Sequence, residues 1–146
     1  MNSNWEKGNM KIDISISELV DRVTILSIKR VKIQDPQKLR NVEKEFSLLS
    51  RQMYKIGIHE NSTEFKKLKE INNKLWQIED AIRVKERRQE FDEEFIQLAR
   101  SVYFQNDERA AIKREISIRY DSELIEEKEY IDYKNQGEHE DPTRPA

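Results

Sequence analysis

The chain has 146 residues, 38% of them charged and 36% hydrophobic, with three Gly and three Pro, so it has room for one core and too few loop formers for a strand-rich fold. With no Cys and two His, it offers no disulfide framework, no thiol catalysis and no zinc site of the usual nitrogen and sulfur ligands. Net charge is −2, from a body (residues 1–120) at +4, a stretch (residues 121–141) at −7 and Arg144 at +1; a strongly basic nucleic-acid face and an apolar run near the ~20 residues of a membrane span are both missing.

Residues 1–11 read as a flexible arm. They lack a signal-peptide core, so a soluble cytoplasmic protein is the expectation. Residues 11–16 alternate apolar and polar, as a short extended lead-in does. Ser15 stands three residues before Glu18 as a capping box, and Ile14 can staple onto Leu19. The first helix is expected over residues 16–34, with Leu19, Val20, Val23 and Leu26 as its buried stripe. Ile25 and Ile28 lie on other sides, so more than one face should be covered.

Asp35-Pro36 opens a second helix, Asp as cap and Pro in the first turn. Leu39, Val42, Phe46, Leu49, Met53 and Ile56 follow at alternating spacings of three and four, a coiled-coil seam. Gly57 should close that helix in the left-handed conformation. Asn61, three before Glu64, reads as the cap of a third helix. Its seam is Phe65, Leu68, Asn72, Leu75, Glu79 and Ile82, widened by Ile71, Trp76 and Ile78. The second and third helices are expected to form a long antiparallel hairpin over residues 36–88. Asn72 at a core position reads as a register device.

Between Val84 and Phe91 there is no apolar residue. A helix break is expected there, with Asp92 capping a new helix that carries Phe95, Leu98, Ala99 and Val102. A tight turn should follow, then a helix from Asn106 or Asp107 burying Ala110, Ile112 and Ile116. A last short helix is expected over residues 122–133. Residues 135–146 read as a disordered acidic tail, which leaves residues 12–134 as a single all-α domain.

Four stretches carry a family resemblance. They are residues 17–26 (SELVDRVTIL) with Lys29, residues 75–83 (LWQIEDAIR), residues 95–103 (FIQLARSVY) and residues 106–116 (NDERAAIKREI). Over residues 12–133 the chain resembles a family of short, uncharacterised, all-helical bacterial and phage proteins. Its members resemble accessory proteins encoded near surface-polysaccharide glycosyltransferases. The resemblance implies such a glycosyltransferase as a partner and supplies no catalytic residue. Near residue 90, where the family pattern leads one to expect Gly, this chain has Gln89-Glu90-Phe91.

The candidate ligand site is Arg100, Tyr103, Asn106, Arg109 and Lys113. Free N–H groups at a helix start, with Arg and Lys one turn on, suit an anionic small molecule such as a sugar-nucleotide diphosphate. Asp107 and Glu108 at the same helix start oppose it. The structural alternative pairs Arg100 and Arg109 with acids across the fold. Glu79, Asp80 and Glu86, with Glu123, Glu126 and Glu127, are the acids that a Mg²⁺-dependent nucleotide hydrolase would need on facing helices; a structural ion network outweighs that reading, and no metal or cofactor is assigned. His59 reads as a surface residue. A non-enzymatic helical binding or assembly module, possible as a homo-oligomer, comes first. An accessory protein or enzyme of surface-glycan or nucleotide-sugar metabolism comes second, and a divalent-metal nucleotide hydrolase third.

Overall fold

The structure, a computed structural model, describes residues 5, 6 and 8–134. It is all-α in its body. Four helices follow in order: α1 (Ile16–Lys32), α2 (Pro36–Lys55), α3 (Thr63–Arg88) and α4 (Glu93–Arg119). Within the expected arm, strands β1 (Trp5–Glu6) and β2 (Asn9–Met10) pair antiparallel around Gly8, whose φ of +80° suits a residue without Cβ. The expected disordered tail, residues 135–146, lies outside the described residues.

Local chemistry sets most helix ends. Ser15 Oγ accepts from the Glu18 N–H at 3.1 Å, and the Asp35 carboxylate accepts from the Lys38 N–H at 3.1 Å. Gly57, at φ +83°, follows α2 as expected. The cap of α3 is Ser62, not Asn61, and its hydroxyl accepts from the His59 N–H at 2.9 Å instead of closing the helix start. The break after Arg88 falls where the apolar residues run out. Gln89 takes the left-handed conformation there (φ 55°), and Asp92 caps α4 by accepting from the Phe95 N–H at 3.0 Å.

Two expected features of the C-terminal third, a turn and a short helix, are absent. No turn precedes Asn106: α4 runs unbroken through residues 93–119. Asn and Asp look like cap residues, but no Gly or Pro interrupts this stretch, and Ala110 and Ala111 favour helix. The short helix expected over residues 122–133 does not form either. That segment is an extended strap (residues 121–134) lying along α4. A helix of a dozen residues is marginal without an apolar face to bury. Here Leu124, Ile125, Tyr130 and Ile131 remain 40–90% exposed.

The helices pair differently from expectation as well. α2 and α3 do not approach each other along their lengths; α1 lies against both. The long antiparallel pair is α3 with α4, joined by the short turn at residues 89–92. Arg119 reaches Glu64 at one end of this pair, and Lys85 reaches Asp92 at the other, at 2.8 Å. At ~1.5 Å per residue, these helices of 26 and 27 residues are roughly 40 Å long, against roughly 25 Å for α1 with its 17.

That mismatch of length decides where the core sits. Val20, Val23 and Leu26 of α1 pack with Val42, Phe46 and Met53 of α2, Phe65 and Leu68 of α3, Ile116 of α4, and Ile58 from the α2–α3 loop. Buried residues of α3 end at Leu75, and those of α4 begin only at Lys113. The other half of the α3–α4 hairpin is only partly buried, flanked at its base by Ile25 and Ile28 of α1, and forms a two-helix arm.

Candidate functional site

A buried polar network joins α1, α3 and α4 above the core. Asn72, 5% exposed, donates from Nδ2 to Asp21 Oδ1 and to Thr24 Oγ1, each at 2.8 Å. Its Oδ1 accepts from Arg109 at 3.2 Å. Thr24 Oγ1 donates to the Asp21 carbonyl at 2.6 Å. Lys113 Nζ sits 2.9 Å from Glu18 Oε2, 3.0 Å from Glu126 Oε2 and 3.8 Å from Asp21 Oδ2. Asn72 thus uses both of its donor hydrogens and its acceptor oxygen on neighbouring helices, the geometry of a register lock.

The charges in this network tune one another. Burial alone would lower the Lys113 ammonium, but the hydrogen bonds it donates to Glu18 and Glu126 and the nearby Asp21 charge outweigh it, so its pKa is raised. Burial pushes the Glu18 carboxyl up, and Lys113 and then Arg22 more than reverse this. Glu126 is lowered, mainly by its hydrogen bond to Lys113. All three groups are therefore held in their charged forms near neutrality, which suits binding and orientation and gives no poised acid or base.

The five candidate ligand residues do not converge. With about 100° between successive residues of an α-helix, Asn106, Arg109 and Lys113 share one face of α4, while Arg100 points away from Arg109. Asn106 and Arg109 line an open groove of ≈430 Å³ with Asn72, Trp76, Glu79 and Arg83, beside Ile25 and Ile28 in the C-terminal half of α1. Lys113 lies on the other side of the network, under the strap, and lines a second cavity of ≈320 Å³. Tyr103 sits in an aromatic cluster, 4.9 Å from the Tyr133 ring. Arg109 meets a neutral amide and not the acid expected of it. Among the described residues, no group of three or more His, Cys, Asp or Glu could hold a metal ion. Glu79 pairs with Arg83, Glu126 with Lys113, and Glu127 with Arg114. His59 is exposed and stacks on Tyr54 at 5.0 Å.

Reasoning from sequence missed Asp21, Thr24 and Tyr133 as members of these sites, and read Glu18 only as part of a capping box and Glu126 only as a candidate metal ligand. Asp21 and Thr24 carried a signal: each directly follows a residue of the buried stripe, Val20 and Val23, so both were placed to face a neighbouring helix. Glu126 and Tyr133 carried none, because a strap is positioned by the fold alone.

Four helices, three of them joined by a buried polar network, define an all-α protein in which, among the described residues, no helix is long and apolar enough to cross a membrane. The chain belongs to the family of unknown function DUF6165, whose pattern matches residues 10–136. No curated protein and no solved structure matches it.

Proposed function

We propose that this protein is a non-enzymatic helical assembly module whose two-helix arm pairs with the arm of a second copy. The observation that carries this is the apolar seam running on past the buried core. Ile78, Ile82, Phe95, Leu98 and Val102 stay only partly buried between α3 and α4, and Phe91 and Ile96 are about half exposed. Charge at the tip is self-complementary. Arg87 and Arg88 end α3, and Glu93 and Glu94 begin α4, so an isologous pair of arms sets one against the other. A concentration-dependent dimer is expected in sedimentation equilibrium, and Ile96→Glu should return it to monomer with its helicity intact. Monomer throughout the accessible concentration range removes the self-assembly reading.

The groove beside Ile25 and Ile28 favours a second reading, an accessory role in surface-glycan or nucleotide-sugar metabolism in the cytoplasm. Arg109, Arg83 and Asn106 line a space with the Trp76 ring, which suits a phosphorylated ligand carrying a flat or sugar group. Glu79 and Asp80 line it too, so a divalent cation would have to accompany the phosphate. Calorimetry with nucleotide sugars, with and without Mg²⁺, tests this. Binding should vanish in Arg109→Ala, which loses a single hydrogen bond to Asn72 and should remain folded. Absence of heat with every nucleotide sugar in both conditions ends the reading.

A further inference from the structure

We propose that the face of α4 beneath the strap is a peptide-binding groove, and that residues 121–134 occupy it as a built-in mimic of an extended acidic segment of a partner protein. Side chains hold the strap in place. Among the described residues, no backbone–backbone hydrogen bond ties residues 123–131 to the helices. Glu126 and Glu127 reach Lys113 and Arg114, and Tyr133 donates its hydroxyl hydrogen to the Asp107 carboxylate. The Tyr133 ring meets Tyr103 and Phe104 edge-on, with centroids at 4.9 and 5.1 Å. This is a two-point reader: a cationic pair takes adjacent carboxylates, and an aromatic slot with an acceptor takes a phenol six residues further on.

The strap fits this groove incompletely. Tyr130 and Ile131 stay largely in solvent and Leu124 and Ile125 are covered by little more than half, so only modest hydrophobic burial holds it. Beneath it lies the ≈320 Å³ cavity bordered by Ser17, Ala110, Ser117 and Ile125. Ser117 Oγ, on a residue only 1% exposed, has no hydrogen-bond partner there. A buried hydroxyl without a partner beside an unfilled space is costly and calls for a group that reaches it. A partner segment carrying the same carboxylate pair and aromatic residue, with a larger polar side chain where the strap has Ile125, makes every contact the strap makes and fills the space as well. Asp121, at φ 51°, stands where the strap leaves α4 and is a strained joint about which it can swing.

The test uses the full chain and a fluorescent peptide of residues 122–134. A tethered strap competes at an effective concentration in the millimolar range, so the unaltered chain should bind the peptide weakly. The variant Glu126→Gln, Glu127→Gln, Tyr133→Ala, with its strap weakened, should bind it at least tenfold more tightly. Adding Arg114→Ala or Asp107→Ala to that variant should reverse the gain, and a scrambled peptide should not bind. Should the triple variant lose helix by circular dichroism, Tyr133→Ala alone serves, because it removes only the aromatic anchor. A folded opened chain that binds the peptide no better than the unaltered protein overturns the proposal. So does binding that ignores Arg114 and Asp107.

Discussion

The two halves of the α3–α4 hairpin are built from similar helix and behave as different materials. In the covered half, Phe65 and Leu68 of α3 and Ile116 of α4 lie within a four-helix core. In the arm, the seam positions Ile78, Ile82, Phe95, Leu98 and Val102 are only partly buried. Burial, not helix propensity, separates them, since neither half contains a Gly or Pro. The arm's tip is held by charge instead. Lys85 bonds to Glu90, Asp92 and Glu94 at 3.2, 2.8 and 3.0 Å, and these hydrogen bonds, Asp92 first, hold its ammonium well above the ordinary lysine value. The self-assembly proposed above would draw on the arm's apolar contacts, while the covered half holds the core.

Truncation shows the contrast most directly. Phe65→Ala or Met53→Ala should cost about 3–5 kcal/mol in urea unfolding, because both side chains are fully buried and leave a cavity. Leu98→Ala in the arm should cost about 1 kcal/mol, the worth of one partly buried side chain. Equal costs would erase the distinction between the halves.

The polar network comes next. Lys113→Met should cost roughly 3 kcal/mol, because it removes the partly buried cation that Glu18, Glu126 and the buried Asp21 share. Arg83→Met, on an exposed pair in the arm, should change stability by less than about 1 kcal/mol. Chemical denaturation of the two variants side by side measures the difference.

The response to pH sharpens the same boundary. Glu18 and Glu126 titrate below their ordinary value of 4.5 in the folded chain, so their contribution is full above that pH and is lost as pH falls below it. Lys113 is raised above 10.5, and Tyr133 is pushed up to about 12, by burial and then by the Asp107 carboxylate. Their contributions are full below the ordinary values and are lost as pH rises past them. Strap signals in NMR spectra should therefore hold between about pH 5 and 10 and shift below that window, before α1–α4 melt. Strap signals that change only together with global unfolding would show that the strap belongs to the core's cooperative unit.

The smallest effect belongs to the tip. Gln89 occupies a left-handed position that Gly adopts without steric cost, so Gln89→Gly should stabilise the chain by roughly 0.5–1 kcal/mol. A thermal melt that falls instead would mean that the Gln89 side chain, which donates to the Glu86 carbonyl at 2.8 Å, outweighs the strain of its backbone.

The amino-acid sequence by itself determined the all-α class, the bounds of α1 to α3 within two residues and the break before Asp92. These follow from short-range chemistry: caps at Ser15, Asp35 and Asp92, the left-handed residue at Gly57, and apolar spacing that needs no partner to be read. Asn72 was legible as a polar group in a seam; its partners were not, because Asp21 and Thr24 lie 51 and 48 residues away in the chain. The tertiary structure alone decided which helix faces which. The seams of α2 and α3 are equally able to pair with each other or with a third helix, and α1 lies between them because its stripes bury against both at once. The course of the C-terminal third was decided the same way. Asn106 stays inside α4 and residues 121–134 stay extended, since a cap signal or a short amphipathic stretch takes effect only where the surrounding fold leaves its backbone and apolar face something to meet.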